Sequence, residues 1–544
     1  MYPSRKFLSL ALLALLPLLS IPAAAFGAPI CVDAYNPQYF RFEGNTIALV
    51  GSSAEYLCHV RVSNHVGDYC TYEAPGENVV GYKDYIDDLV AKGLNTFRLW
   101  VALNSSPGRD LTNTGMPYDQ EQPFLFANPL WNVADGTWEE AFFDHIREVI
   151  AYAQSKSPKV IVEVTLFDPW SGDWTQGPWS SNNIFNGTGF AAEKGFVTLP
   201  SGGSCAAFNG GPRKRQIDVM KKLAGEINDL NNFYWEIANE PDVNSGDGVS
   251  GGEAAAWHDC VVQQLYSYEG TLPNGRHLIG VNYHTLDALN TIKNNSYPNS
   301  VPRIKIVNAH YVDLGDSSRY SAIELIRNWH GGPNELNRIF GFNESKITPI
   351  QTGADATRAE AWEFMLDQGG VYDHLGYQWS TSGVAISTRT YLGRLNTFLK
   401  GLNLRRAARS AGNPPTWAPS LPAYETDDDG VAGGPKIYWG AMQEGQERYV
   451  LYIHHSTKQS GAFQGYVKPG SIHRITSLDV QLGAAGIPYT VEWINPATLG
   501  VLSSTSIPGD GVRRTLTVPS YSYDIALRIS NGITSIIPGD CAPY

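Results

Sequence analysis

The stretch Phe233-Tyr234-Trp235-Glu236-Ile237-Ala238-Asn239-Glu240-Pro241 decides how the rest of the chain is read. It opens as an apolar run, the texture of a strand buried in a parallel sheet. Asn239 and Glu240 end that texture, and Pro241, which has no N–H to give to a ladder, stops the strand. Glu240 therefore belongs at the C-terminal end of a strand, with Asn239 beside it to hydrogen-bond a ligand hydroxyl. In a barrel of parallel strands that end is where the βα loops converge and where catalytic groups stand.

Comparable runs lie on both sides of it. Upstream are Thr46–Gly51, Thr96–Val101 and Lys159–Phe167; downstream are His277–Val281, Ile304–Ala309, Ile347–Thr352 and His374–Trp379. Amphipathic stretches separate them: Tyr85–Lys92, Trp138–Ser155, Arg215–Leu230, Glu253–Tyr268, Ser321–Trp329 and Arg358–Gln368, with a last helix near Tyr391–Ala408. Eight strand–helix units in succession predict an α/β fold, a (β/α)₈ barrel over residues 26–412, with a doubly wound sheet as the alternative. After Gly412 the texture changes. Asn413-Pro414-Pro415 and Thr426-Asp427-Asp428-Asp429-Gly430 read as linker or loop. The short alternating runs Lys436–Met442, Arg448–His454, Thr490–Asn495, Val512–Thr517 and Asp524–Ile529 predict a small antiparallel β-sandwich over 413–544.

The chain has 544 residues, 43% of them hydrophobic, so a sizeable core is available. Asp and Glu (53) outnumber Lys and Arg (40), giving a net charge of −13. That sign argues against nucleic acid or an anionic membrane as the main partner, because phosphate binding needs a basic field. Aromatics reach 12%, compatible with stacking on sugar faces. Residues 1–25 have the layout of a signal peptide: Arg5 and Lys6, an apolar run from Phe7 to Ile21, then Ala23, Ala24 and Ala25. Pro17 and Pro22 interrupt the run, and no later stretch is long and apolar enough for a transmembrane segment. The mature chain is expected to be secreted, or periplasmic.

All six cysteines lie beyond the leader, without a Cys-x-x-Cys pair. The expected pairs are Cys58–Cys70, Cys31–Cys541 and Cys205–Cys260, with free buried thiols as the alternative. No His-Glu-x-x-His pair points to zinc, no Gly-x-Ser-x-Gly to a serine esterase, and no glycine-rich loop to a nucleotide. Neither cofactor nor metal is expected, and Asp427–Asp429 read as a solvated turn rather than a calcium site.

At Asn239-Glu240 the sequence resembles the clan A glycoside hydrolases, barrel enzymes in which Asn-Glu closing strand four carries the acid/base carboxylate. Other strand ends agree with that resemblance. Arg98, in Asn95-Thr96-Phe97-Arg98-Leu99-Trp100, matches the arginine placed beneath the nucleophile. His310-Tyr311 after strand six matches the clan's histidine–tyrosine pair, and Trp379 its platform tryptophan. The openings Asn36–Gly44 and Gly51–Tyr56 resemble secreted family-5-like and apiosidase-like hydrolases, whose N-terminal hairpin caps the barrel floor. Tyr489–Thr498 resembles the collagen-binding-like sandwich that follows such barrels.

Glycosidic cleavage needs a second carboxyl group facing the first. The clan supplies it as a glutamate ending strand seven. Here the expected strand end reads Thr348-Pro349-Ile350-Gln351-Thr352-Gly353-Ala354-Asp355, so Asp355 is the expected nucleophile. The alternatives are Glu344 or Glu360, recruited from the flanking loop and helix, or no nucleophile at all. Glu55 and Tyr56 after strand one, Asp168 and Trp170 after strand three, and His284 after strand five complete the expected cleft. Trp174 and Trp179 sit in a long loop of subsite character. The resulting expectation is a retaining glycoside hydrolase acting on a poly- or oligosaccharide, with Glu240 as acid/base. Its rivals are a non-catalytic carbohydrate-binding protein on a degenerate barrel and, more remotely, an adhesion protein working through its sandwich.

Overall fold

Eight parallel strands close into a barrel in the computed structural model. It describes residues 27–52, 71–72, 80–102, 131–132, 137–138, 140–167, 205, 211–241, 251–283, 301–310, 326–327, 338–345, 354–374, 383–458, 466–469, 475–533 and 539–542. The barrel strands are β1 (Leu49–Ser52), β2 (Thr96–Ala102), β3 (Ile161–Phe167), β4 (Phe233–Ala238), β5 (Ile279–Tyr283), β6 (Ile304–His310), β7 (Ile339–Ser345) and β8 (Val371–His374). They neighbour one another in chain order, and β8 pairs with β1 to close the ring. Helices α1 (Tyr82–Lys92), α2 (Glu140–Gln154), α3 (Gly211–Ile227), α4 (Gly251–Glu269), α5 (Ala354–Leu366) and α6 (Gly383–Lys400) follow strands of the barrel. The doubly wound alternative is thereby excluded.

Alternation along the strands sorts the interior into layers. Outward residues such as Val162, Val164, Trp235 and Ile237 meet the helices in one large apolar core. Inward residues at the strand starts, Leu49, Ile161, Tyr234, Leu278, Ile306, Ile339 and Val371, form an apolar floor. The expected hairpin lies against that floor: strands Phe40–Phe42 and Asn45–Ile47 pair antiparallel, and Phe40 and Phe42 join the floor cluster. Above the floor the interior turns polar. Arg98, Glu163, Glu236, Asn308 and Asp373 are all buried there.

Two strands differ from the sequence reading. Strand seven is Ile339–Ser345, not Ile347–Thr352, and strand eight is Val371–His374, not His374–Trp379. Ile347–Thr352 has the β-branched composition of a strand, whereas Ile339-Phe340-Gly341-Phe342-Asn343-Glu344-Ser345 is interrupted by glycine and asparagine. The interruption has a cause: a Cβ on Gly341 would lie 1.9 Å from Asn308 Oδ1, so only glycine lets the Asn308 amide into the interior. The last helix also ends earlier than expected, at Lys400, and strand pairing resumes at Ala408.

The C-terminal strands are β9 (Ala408–Arg409), β10 (Thr426–Asp427), β11 (Lys436–Glu444), β12 (Arg448–Lys458), β13 (Tyr466–Val467), β14 (Ser477–Val480), β15 (Tyr489–Ile494), β16 (Val501–Ile507), β17 (Arg514–Thr517) and β18 (Asp524–Ser530). All but β14 and β17 form one antiparallel sheet, whose main path runs β9-β11-β12-β18-β15-β16; β14 and β17 pair separately. Period-two alternation gives the large sheet two apolar faces. Ile437, Trp439, Leu451 and Leu527 cluster with Leu478, Val480 and Leu516 of the small sheet. Tyr438, Met442, Val450 and Tyr452 face the barrel core.

Helix α5 is the barrel's side of that contact, and every residue from Ala356 to Leu366 is buried. Phe364 packs on Phe342, ring centroids 5.7 Å apart, while Trp362 stacks on Tyr452 at 5.3 Å. A Cβ on Gly440 would come within 2.6 Å of the Glu363 carbonyl, so the close approach of sheet to helix needs glycine there. Disulfides join Cys31 to Cys541 and Cys205 to Cys260, as expected; Cys58 and Cys70 lie outside the described residues. No described helix is long and apolar enough to cross a membrane.

Candidate active site

Arg98 is the hub of the polar interior. From the middle of β2 it reaches one group on β4, one just past its end and one on β7. Its Nε donates to Glu236 Oε1 at 2.8 Å, with Nη2 also on that oxygen. Nη2 donates to Asn239 Oδ1 at 2.9 Å, and Nη1 to Glu344 Oε2 at 2.9 Å. Burial works against a cation here, but Glu236, Glu344 and Glu163 outweigh it and hold the guanidinium pKa above its ordinary value. In turn Glu236, despite its burial, is pulled down to about 2 by Arg98.

Glu163 behaves oppositely. Burial, and then the neighbouring Glu236, raise its pKa well above the ordinary carboxylate range. Asn308 Nδ2 donates to Glu163 Oε1 at 2.6 Å and Glu236 Oε2 at 2.9 Å. Asn343 Nδ2 reaches the same two oxygens at 2.9 and 2.7 Å. Two carboxyl groups this close cannot both ionise, so one proton is held between them, on the Glu163 side. Glu163→Gln keeps an oxygen for the two amides and replaces the proton with an N–H. It is expected to leave the melting temperature within about 1 °C. Glu236→Gln removes a partner of the buried Arg98 and is expected to lower it by about 3 °C or more. Calorimetry of the two variants compares them; equal losses would mean that Glu163 is ionised.

Above this network lies the rim. Glu240 follows β4 with φ of 39°, in the left-handed region that residues other than glycine seldom adopt. Its N–H donates to Asn282 Oδ1 at 2.6 Å, which pins the turn. Across the opening stands Glu344. On β7, Gly341 and Asn343 face the interior while Phe340 and Phe342 pack on Phe364. Strict alternation would send Glu344 outward with the phenylalanines. Register shifts at the β6–β7 and β7–β8 pairings, on either side of that point, turn it into the opening instead.

His310 closes the gap between the two acids. Its Nδ1 is 2.8 Å from Glu240 Oε1 and 3.0 Å from Glu344 Oε2. Its Nε2 is 2.9 Å from Asn343 Oδ1. Burial opposes protonation of the ring, but Glu344 and Glu240 outweigh it and push its pKa up to about 10. Glu344 is lowered despite burial, by His310 and then Arg98. One carboxylate oxygen from each glutamate and a ring nitrogen of His310 all lie within 4.8 Å of one another.

The position expected for the second carboxylate needs correction. Asp355 is not at the end of strand seven; it sits in the first turn of α5. There it pairs with Arg358 at 2.6 Å and with Lys468 at 3.4 Å, and Arg358 in turn binds Asp524 at 2.7 Å. Asp355 is thus engaged at the seam between barrel and sheet. Glu360 is occupied as well, accepting from the Tyr372 hydroxyl at 2.8 Å. Of the expected residues, the structure brings Arg98, Asn239, Glu240 and His310 together, with Glu344 as the facing acid. Glu55, Tyr56, Asp168, Trp170, Trp174, Trp179, His284, Tyr311 and Trp379 lie outside the described residues.

The sequence reading passed over Glu163, Glu236, Asn282, Asn308 and Asn343. A signal existed for the first two. A carboxylate on the inward phase of an otherwise apolar strand must have a buried partner, and Arg98 was the available cation.

Two acid side chains across the mouth of a closed (β/α)₈ barrel form the kind of site that cuts glycosidic bonds. Residues 62–311 match the family model described as Cellulase (glycosyl hydrolase family 5), and with that match the chain is a glycosidase. The matched segment contains Arg98, Glu240 and His310 and stops short of Glu344. A solved structure described as a glycoside hydrolase is similar over 93% of this chain and 97% of its own, with TM-score 0.53 and 11% identity. A glycoside hydrolase family 5 protein from Bacteroides vulgatus is similar over 92% and 94%, with TM-score 0.52 and 12% identity. At such identities the likeness is one of fold. No curated protein matches the chain.

Proposed function

We propose that this protein hydrolyses O-glycosidic bonds of a poly- or oligosaccharide with retention of anomeric configuration, Glu344 acting as nucleophile and Glu240 as acid/base. The observation that carries the reading is the short span between them, both within 3.0 Å of one histidine nitrogen. Retaining sites hold their carboxyl groups about 5–5.5 Å apart, whereas inverting sites need about 6.5–9.5 Å to admit a water.

In the first step Glu240 delivers a proton to the leaving oxygen as its bond to the anomeric carbon breaks. A Glu344 oxygen forms a bond to that carbon. In the second step Glu240 takes a proton from water, whose oxygen attacks the same carbon and releases Glu344 as carboxylate. Arg98 and His310 favour the ionised Glu344 on which both steps depend. Asn239, oriented by Arg98, is the group for the hydroxyl next to the anomeric carbon.

The receptor-only alternative rests on a strand seven without a terminal glutamate. Since β7 carries Glu344 there, the hydrolase reading is preferred. The hairpin under the floor supports kinship with the family-5-like and apiosidase-like secreted hydrolases. The apolar cluster shared by the C-terminal sheets supports a sandwich. Export is supported by the leader and by two disulfides.

The test is a polysaccharide panel with released products sized and the first-formed anomer read by NMR. Retention is expected, and Glu240→Gln should lose about 10²–10⁴-fold in kcat, most with the poorest leaving groups, while still binding sugar. Inverted product, or an unimpaired Glu240→Gln enzyme, would overturn the assignment.

A further inference from the structure

We infer that Asn343 is a positioning residue for the acid/base step: by accepting from His310 Nε2 it fixes which ring nitrogen faces Glu240 and Glu344. The inference rests on the roles proposed above for those two acids.

The orientation of the Asn343 amide follows from its neighbours. Its Nδ2 lies 2.9 Å from Glu163 Oε1 and 2.7 Å from Glu236 Oε2. Both of those are acceptors, and the single proton of that pair lies between the carboxyl groups. A flipped amide would set an oxygen against two carboxyl oxygens, so the nitrogen end points down and Oδ1 points at His310. Oδ1 can only accept. His310 Nε2, 2.9 Å away, therefore carries a hydrogen. Asn308 grips the same two carboxyl groups from β6, so the anchor beneath Asn343 is itself held.

With Nε2 committed, Nδ1 is the ring's site of proton exchange on the cleft side. The proton between Glu240 and His310 can be drawn on the glutamate beside a neutral ring, or on Nδ1 beside an ionised glutamate. Both drawings contain the same number of protons and differ by one transfer along a 2.8 Å contact. A general acid that needs its proton at neutral pH can thus keep it on the pair. The other tautomer, with hydrogen on Nδ1 and a bare Nε2, would block this sharing, and Asn343 excludes it. The charged groups bearing on the ring are Glu240 and Glu236 from β4 and its end, and Glu344 from β7. Arg98 on β2 balances Glu236 and Glu344, while Asp373 on β8 acts on Glu163.

The experiment uses the full chain with ¹⁵N-labelled histidine, the His310 ring signals being those missing from His310→Gln. In the wild-type protein Nε2 is expected to stay protonated from pH 5 to 9. Asn343→Leu is expected to lose that signature. Its kcat should fall by about tenfold or more with little change in KM, and the alkaline limb of kcat/KM should move down by about one pH unit. The wild-type spectrum tests the proposal even if Asn343→Leu does not fold. A bare Nε2 in the wild type, or an Asn343→Leu enzyme with unchanged pH profile and ring signals, would overturn it. If those results came with inactive Glu240→Gln and Glu344→Gln enzymes, only the role of Asn343 would fall. If Glu240→Gln and Glu344→Gln cleaved normally, the assignment of the two acids would fall with it.

Discussion

Glu344→Gln is expected to lose on the order of 10⁴-fold or more in kcat, whereas Asp355→Asn keeps turnover within about threefold of wild type. The contrast follows from what each carboxylate touches. Glu344 is held by Arg98 and His310 across the opening from Glu240, and no other described acid occupies that place. Asp355 spends its charge on Arg358 and Lys468, at a seam about a third open to solvent. Chemical rescue sharpens the test. In Glu344→Ala, azide can enter the vacated space and attack the anomeric carbon directly, giving the glycosyl azide of inverted configuration. Steady-state kinetics on a cleaved substrate, with the azide product read by NMR, checks both halves. A Glu344→Gln enzyme with near-normal turnover would return the search to the other carboxylates.

Arg98→Met carries the second large effect. A fully buried cation leaves, and two carboxylates that depended on it stay behind. Breaking a buried pair in this way costs about 3–5 kcal/mol, because the remaining charge is uncompensated. The pH dependence gives the sign. Glu236 and Glu344 have lowered pKa values in the folded protein, so each contributes stability above its unfolded value near 4.5. For Glu236 that contribution is lost as pH falls toward about 2. Without Arg98 both groups titrate at higher pH. Acid unfolding and the acidic limb of kcat/KM should then move upward together. Thermal melts from pH 3 to 8 alongside rate profiles measure both; a variant as stable as wild type at pH 7 would contradict the buried-network account.

The barrel was legible because most of its strands are rich in apolar and β-branched residues and are separated by amphipathic helices. Strand four was clearest, since Asn239-Glu240-Pro241 punctuates a run that is apolar except for Glu236. Strand seven was not legible, for a physical reason: its inward positions are Gly341 and Asn343, chosen to admit one amide and to supply another. A polar barrel interior thus erases the hydrophobic signal by which strands are found, and the search settles on the β-branched Ile347–Thr352 instead. The register shifts that turn Glu344 toward the opening have no one-dimensional signature. Asn239, Glu240 and His310 could be placed from the sequence because each sits at or just past the end of a strand that was placed correctly, and Arg98 because it lies within one.

Helix α5 ties the unfolding of the barrel to that of the C-terminal sheet. The helix is walled in by barrel rings on one side and by Trp362 stacked on Tyr452 on the other. Its Glu363 is bound to His454 at 2.9 Å inside that wall. Removing the C-terminal sheet would strip the cover from a helix with no solvent-adapted face. The two parts are therefore expected to melt as one cooperative unit, seen as a single calorimetric transition.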